Sequence, residues 1–328
     1  MNKKTWLMKV IDGEDRSSVP VGFWHHFIPH SIMGQMVDHQ ELIDEYFEKN
    51  RQWNKEFDPD FVKIMTDGFL MLPIDIGDGT ADGIAHLTVL DPELYINKTM
   101  ELVSGVRKIY GDDIMMFCNV FSPIITIVKA MRAFYKDDTY AVLAKMLQEE
   151  PSKIQAGVDK VTAVLEELVK KAVAPGMADG IYLCVRMCKQ SRAAYEKYIA
   201  QSERRLLNIA EEINPYNILH ICDFDGKQTD ISVYTDYPNK VFNWAANSEE
   251  LPLSEGKKLF AGKTVLGGFG MHKTDILYKG TKEEIEAEAR RIVEDAGIGN
   301  MIVGADCTVD PGIDVAHLRW AREACRNA

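Results

Sequence analysis

Eight short apolar segments recur along the 328-residue chain, and longer segments with a helical spacing of apolar residues separate them. Parallel strands need connections of a dozen or more residues, usually helices, so this alternation predicts a parallel sheet. No stretch has the composition of a linker between domains. Eight repeats favour one closed (β/α)8 TIM barrel over an open doubly wound sheet. The predicted strands are residues 19–24, 61–65, 114–120, 180–184, 216–222, 241–244, 264–268 and 300–304.

Helices are predicted where apolar residues recur every three or four positions. Proline suits the first position of a helix, where its missing N–H is not needed, so Pro151 predicts a new helix inside a long helical region. Residues 1–18 then form an N-terminal helical lead-in, and residues 19–328 form the barrel. The predicted helices are residues 3–13, 39–57, 92–110, 122–172 with the break at Pro151, 191–213, 253–260, 281–296 and 314–326.

The charge balance excludes several classes of partner. The chain has 38 basic and 50 acidic residues and a net charge of −12, which argues against nucleic acid and anionic membranes as partners. A substrate with many carboxylates is also disfavoured, unless a local basic pocket overrides the global field. No run reaches the length of a membrane span, and Lys9 and Asp12 interrupt any signal-peptide core. With six cysteines and no secretion signal, we expect a cytoplasmic protein with reduced thiols.

A His-x-Cys pair ends the fifth predicted strand. Side chains two residues apart on a strand point to the same side, so His220 and Cys222 can converge on one point. Imidazole and thiolate are ligands that suit zinc. Cys307 follows the eighth strand, and the carboxyl ends of barrel strands share one mouth. The sequence therefore predicts a zinc site of His220, Cys222 and Cys307 with an open fourth position, which is typical of catalytic zinc.

Several short motifs occur together in a fixed order along nearly the whole chain. They are VPV at 19–21, ADGI at 178–181, HIC at 220–222, FNW at 242–244, GG at 267–268 and GADCTVDP at 304–311. This pattern resembles the uroporphyrinogen decarboxylase superfamily, and within it the zinc-dependent, cobalamin-linked methyltransferases. The resemblance implies a TIM barrel of the uroporphyrinogen decarboxylase type with an N-terminal helical extension.

Named positions favour the methyltransferases over the decarboxylases. Decarboxylases carry arginines after the first strand that hold the acidic substrate, whereas this chain has no arginine between Arg16 and Arg51. They also carry a histidine where Cys307 falls and lack the His-x-Cys pair. One decarboxylase-like feature is retained, because Asp67 matches the acidic residue after the second strand.

The resemblance implies that zinc holds a small substrate thiol as thiolate, which attacks the methyl group of methylcobalamin on a partner corrinoid protein. Asp223 and Asp306, each beside a ligand, are candidates to orient the ligands. Candidate substrate contacts or catalytic groups at the mouth are Asp67, His25 and His272, with His26 and His30 close by. A homodimer is a possible assembly.

Two alternatives stay open. The first is a decarboxylase of tetrapyrrole carboxylates that needs no metal and relies on Asp67. The second is a non-catalytic protein that binds a corrinoid or another small molecule, with inert cysteines. The spacing of Cys184 and Cys188 is not that of a usual zinc knuckle, so both are expected to be ordinary thiols, as are Cys118 and Cys325 in the core.

Overall fold

A computed structural model of the chain describes residues 1–29, 32, 36, 38–66, 71–187, 189–222 and 230–327. The strands are β1 (Phe61–Ile64), β2 (Ile74–Asp75), β3 (Thr88–Val89), β4 (Met115–Phe121), β5 (Gly180–Val185), β6 (Ile218–Ile221), β7 (Val241–Trp244), β8 (Thr264–Phe269) and β9 (Met301–Ala305). The helices are α1 (Lys3–Ile11), α2 (Gln40–Phe57), α3 (Ala81–Ala85), α4 (Pro92–Tyr110), α5 (Pro123–Tyr135), α6 (Thr139–Glu149), α7 (Pro151–Ala172), α8 (Arg192–Tyr198), α9 (Ala200–Ile213), α10 (Leu253–Leu259), α11 (Ile276–Lys279), α12 (Lys282–Ala296) and α13 (Val315–Arg326).

Seven strands form one sheet in the order β1-β4-β5-β6-β7-β8-β9, and every neighbouring pair is parallel. Strands of this sheet that follow each other along the chain are therefore also neighbours in space, as in a succession of β-α-β units. Strands β2 and β3 form a separate antiparallel pair. The predicted α/β fold is confirmed, and seven of the eight predicted strands are present.

The predicted first strand, residues 19–24, is a single bridge between Val21 and Val303. On one side, Gly22 N–H donates to the Val303 carbonyl at 3.0 Å, and on the other Asp60 N–H donates to the Val21 carbonyl at 3.1 Å. Pro20 has no N–H, and the N–H of Val21 donates to the Asp60 carboxylate at 2.9 Å. These two residues leave too few donors for a full ladder. Residues 20–22 nevertheless lie between β9 and the residue that precedes β1.

Two helical predictions need correction. The region 122–172 contains three helices, because the chain breaks at Lys136 (φ 46°) as well as at Pro151. The region 191–213 contains two, which meet at Ile199, where φ of −120° is far from the usual helical value. The β2–β3 pair lies between residues 65 and 92, where the sequence analysis predicted neither a strand nor a helix. No helix of the described residues is long and apolar enough to cross a membrane.

The core has two layers of side chains. The larger cluster packs the helices onto the outer face of the sheet. A smaller cluster comes from alternate strand positions on the opposite face, and α1 contributes Leu7 and Ile11 to it. Its other buried members are Trp24, Phe61, Met65, Met115, Phe117, Tyr182, Tyr216, Ile218, Val241, Leu266 and Ile302. The predicted N-terminal helix therefore packs against the inner side chains of the sheet.

Glu203 on helix α9 is a buried carboxyl group bonded by two tyrosine hydroxyls. Its Oε2 accepts hydrogen bonds of 2.6 Å from Tyr195 and Tyr237. Burial raises the pKa of Glu203 to about 7, although both tyrosine bonds act in the opposite direction. The folded protein therefore keeps a proton between pH 4.5 and 7 that the unfolded chain loses, and this contribution to stability disappears as the pH rises through that window.

We predict that Glu203→Gln reduces the pH dependence of stability. Glutamine retains a carbonyl oxygen for both tyrosine hydroxyls but cannot ionise. Between pH 5 and pH 8, the wild type should lose on the order of 2 kcal/mol more unfolding free energy than the variant. Urea unfolding at the two pH values measures this difference. Glu211→Gln, at an exposed position of the same helix, is the control, and an equal effect of both substitutions would contradict the prediction.

Candidate metal centre

The register of three adjacent strands places the centre of the site. Cys184 on β5 pairs with His220 on β6, and His220 pairs with Asn243 on β7. Residues paired across parallel strands project to the same side of the sheet, so the three side chains form one row. Cys222 follows β6, and its N–H donates to the Val185 carbonyl at 2.9 Å, which extends the pairing of β5 and β6.

Cys307 reaches the row from the opposite part of the sheet. It lies two residues beyond β9, and Asp306 N–H donates to the Phe269 carbonyl at 2.8 Å, which extends the pairing of β8 and β9. The Cys307 sulfur lies 3.4 Å from Nε2 of His220. A tetrahedral zinc with a nitrogen and a thiolate ligand separates those two atoms by about 3.5 Å. The structure thus brings together the three residues that the sequence predicted as zinc ligands.

A fourth donor, Cys184, belongs to the same cluster. One ligand atom each from Cys184, His220 and Cys222 lies within 4.8 Å of the other two. The sequence predicted that Cys184 is an ordinary thiol, because its spacing from Cys188 is not that of a usual zinc knuckle. The signal that could have found it is the order of the strands, because β5 precedes the His-x-Cys strand and must pair beside it. Cys188 is outside the described residues.

The orientation of His220 is fixed by Asn243. The Asn243 Nδ2 donates to the carbonyls of Leu266 at 2.8 Å and Ala305 at 3.3 Å, so its Oδ1 faces the other way and accepts. That oxygen accepts from the Tyr182 hydroxyl and contacts Nδ1 of His220, both at 2.5 Å. This network assigns the proton to Nδ1 and leaves the lone pair on Nε2, facing Cys307. Neutral imidazole in this tautomer is the form that binds a metal.

The three thiols of the cluster differ in pKa. Hydrogen bonds from Cys184 and Cys307, together with His220, hold the pKa of Cys222 well below the ordinary value of a thiol, although burial opposes them. The same bonds to Cys222, with burial, raise the pKa of Cys184 and of Cys307. Thiolate is the form that binds metals, so the cluster favours one thiolate at its centre before any metal arrives.

The four donors line a cavity of about 480 Å³. Four cationic side chains, Lys63, Lys129, Arg186 and Lys273, also line it, so a local basic pocket exists within an acidic chain. Lys63 is buried, with its Nζ 3.9 Å from the centre of the Tyr182 ring. Arg186 Nη1 donates to the Cys222 carbonyl at 2.9 Å and so holds the backbone of a ligand residue. The apolar part of the lining includes Met65, Phe121, Ile125, Met271 and Val309.

Some of the other predicted site residues line the cavity, and others do not. His26 and His272 line the cavity. The ring of His25 packs against Phe27 and Trp53, with centroids 4.6 Å apart in both pairs, and His25 is not among the described residues of the lining. Asp306 accepts from the backbone and side chain of Asn247, at 3.0 and 2.9 Å. Predictions also fall on Asp67, His30 and Asp223, which lie outside the described residues.

A comparison with known protein families shows the family of the chain. The model of the family described as uroporphyrinogen decarboxylase (URO-D) matches residues 78–328, about three quarters of the sequence. The chain belongs to the uroporphyrinogen decarboxylase family. The resemblance drawn from the sequence motifs is therefore confirmed at the level of the superfamily. A comparison with curated protein sequences found no significant match.

Solved structures share the fold at low sequence identity. A methyltransferase from Methanosarcina mazei has a TM-score of 0.72 and 15% identity, over 100% of this chain and 98% of that chain. A B12-independent methionine synthase from a Shewanella species, in complex with selenomethionine, has a TM-score of 0.53 and 13% identity, over 94% and 97%. A putative B12-independent methionine synthase from Listeria monocytogenes has a TM-score of 0.50 and 13% identity, over the same shares. At these identities the likeness shows a common fold.

We predict that Asn243→Ala lowers the affinity of the site for zinc by about 10- to 100-fold, because His220 loses the bond that fixes its tautomer and ring orientation. Competition with a chromophoric chelator measures the affinity, and thermal unfolding of the metal-free protein checks that the variant folds. Tyr182→Phe is the matched control, because it removes one bond to Asn243 and leaves the bond to His220. An affinity equal to that of the wild type in Asn243→Ala would contradict the prediction.

Proposed function

We propose that the protein is a zinc-dependent methyltransferase that moves a methyl group between a corrinoid protein and a small thiol. The observation that carries the proposal is the convergence of His220, Cys222 and Cys307, which come from distant parts of the chain, at the wall of one cavity. A histidine with its Nε2 lone pair available and two thiol sulfurs form a donor set that suits zinc.

We also propose the architecture that this function uses. Residues 19–24 act as the first strand of a closed (β/α)8 barrel, and residues 1–18 are a helical lead-in. The support is that residues 20–22 bond to β9 on one side and to Asp60, just before β1, on the other. Closure would enclose the inner cluster of side chains and place the ends of β6 and β9 at one mouth.

The chain's own residues would prepare the reaction. His220, Cys222 and Cys307 would hold the zinc, which when bound supplies the positive charge that keeps a substrate thiol deprotonated at neutral pH. Asn243 holds the His220 ring with its Nε2 toward the cluster, and Arg186 holds the backbone of Cys222. The apolar part of the lining limits the access of water, which strengthens electrostatic interactions in the cavity.

The transfer itself is a displacement at carbon. The substrate sulfur attacks the methyl group of methylcobalamin on the partner corrinoid protein, so that a sulfur–carbon bond forms and the cobalt–carbon bond breaks. The electron pair of the broken bond stays on cobalt, which passes from Co(III) to Co(I). The thiol loses one proton, and the product is a methyl thioether. The chain supplies binding and orientation, whereas the corrinoid supplies the reactive methyl group.

A decarboxylase of tetrapyrrole carboxylates is the second candidate, and one observation favours it. Lys63, Lys129 and Arg186 line the cavity and offer cationic partners for carboxylates, although the segment after residue 24 has no arginine. Two thiols and a histidine gathered at one point have no role in such a reaction. Turnover of uroporphyrinogen by metal-free protein would favour the decarboxylase over the methyltransferase.

We predict one zinc per chain in purified wild-type protein, and loss of that zinc in His220→Ala and in Cys307→Ala, because each substitution removes one of three ligands. Metal content after dialysis measures this. Cys118→Ala is the control, because Cys118 is a buried thiol on β4, away from the cluster. Wild-type protein that binds no zinc when zinc is supplied would contradict the proposal.

We further predict that the zinc-loaded wild type transfers the methyl group of methylcobalamin to 2-mercaptoethanol, and that both ligand variants fall to the background rate. The readouts are the cobalamin spectrum and the methyl thioether, which should form in equal amounts. Cys118→Ala should retain the wild-type rate. Zinc binding without any transfer to a panel of small thiols would favour a binding protein over an enzyme.

A further inference from the structure

Lys63 is a buried lysine on the inner face of the sheet. It is 8% exposed and lies on β1 between Phe61 and Met65, which both belong to the inner cluster of apolar side chains. Alternate residues of a strand point to the same side, so this strand places one charged side chain in an otherwise apolar row. A buried ammonium group costs free energy unless negative charge develops close to it.

Two aromatic rings hold the ammonium group of Lys63. Its Nζ lies 3.9 Å from the centre of the Tyr182 ring and 5.1 Å from that of Trp24, within the range of cation–π attraction. The ring of Tyr182 in turn lies 5.2 Å from the ring of His220. Lys63 also lines the cavity that His220 and Cys307 line. The fold therefore fixes a positive charge close to the candidate zinc ligands.

The charge of Lys63 acts on the thiols of the cluster. Hydrogen bonds to Cys222 and burial raise the pKa of Cys184 and of Cys307, and the positive charge of Lys63 opposes that rise at both thiols. Other cations of the cavity are engaged elsewhere. Arg186 donates to the Cys222 carbonyl, and Lys273 pairs with a carboxylate, that of Asp310, at 3.1 Å.

We propose that Lys63 is a specificity-determining residue, which makes the zinc site prefer an anionic fourth ligand, the substrate thiolate, over a neutral one. This inference rests on the proposed function. Zinc with two thiolates and a neutral imidazole has no net charge, whereas the same site with a bound substrate thiolate carries one negative charge. Lys63 stabilises that negative charge and leaves the neutral resting site nearly unaffected. The methyl thioether product is neutral and gains nothing from Lys63, so the same charge favours product release.

Cobalt(II) in place of zinc makes the fourth ligand visible, because a bound thiolate adds charge-transfer absorption in the near ultraviolet and any new ligand alters the visible bands. Titration with 2-mercaptoethanol gives the Kd of an anionic ligand, and titration with imidazole gives the Kd of a neutral one. In Lys63→Met, which nearly keeps the length of the side chain without its charge, the Kd of 2-mercaptoethanol should rise about 10-fold. The Kd of imidazole should stay the same.

Two further variants separate charge from shape. Lys63→Arg retains the charge and should bind 2-mercaptoethanol as tightly as the wild type. Lys145→Met removes the same charge from an exposed position of α6 and should leave both Kd values unchanged. The zinc affinity of Lys63→Met, measured by competition with a chelator, should be no weaker than that of the wild type, because the resting site is neutral.

Different outcomes separate this inference from the proposed function. Equal affinity of Lys63→Met and the wild type for 2-mercaptoethanol, or a parallel loss of affinity for both ligands, would overturn the inference and leave the zinc site intact. Wild-type protein that binds no cobalt and no zinc would overturn the proposed function and the inference with it. Lys63→Gln, which keeps a polar side chain, should give the same selective loss and guards against a folding defect in the methionine variant.

Discussion

The parallel register of β5, β6 and β7 is the constraint on which the candidate site depends. It sets Cys184, His220 and Asn243 in one row. Asn243 could not orient His220 if either strand slipped by one residue, because a slip of one would turn every side chain to the other face. The helices and the outer core hold the register, and the inner face carries the chemistry.

The same arrangement has an energetic consequence. Three thiols and an imidazole are buried close together, where thiolates repel one another and a charge is costly to desolvate. Without metal, hydrogen bonds from its neighbours lower the pKa of Cys222, whereas the pKa values of Cys184 and Cys307 are raised. A divalent cation stabilises thiolates, so metal binding and deprotonation of the cluster are coupled. Lys63 and Arg186 add positive charge around a site that lies within an acidic chain.

Seven of the eight predicted strands, and the candidate ligands His220, Cys222 and Cys307, followed from local sequence signals. Apolar runs and the His-x-Cys spacing are short-range features, and the order of the strands then predicted that Cys307 would meet His220. Cys184 and Asn243 carry no such signal, because their importance comes from register between strands, which a single sequence specifies only through packing. Lys63 and Arg186 were missed for the same reason. The predicted first strand, residues 19–24, is longer than the observed one, because Pro20 and the Asp60–Val21 bond reduce its ladder to one bridge.

The most direct test of the central claim is zinc K-edge X-ray absorption on the zinc-loaded protein, with and without 2-selenoethanol as a stand-in for the acceptor thiol. The account predicts a first shell dominated by sulfur with one nitrogen, and a zinc–selenium contribution when the selenol is added. A first shell of oxygen and nitrogen alone, or a sulfur shell that the selenol leaves unchanged, would contradict it.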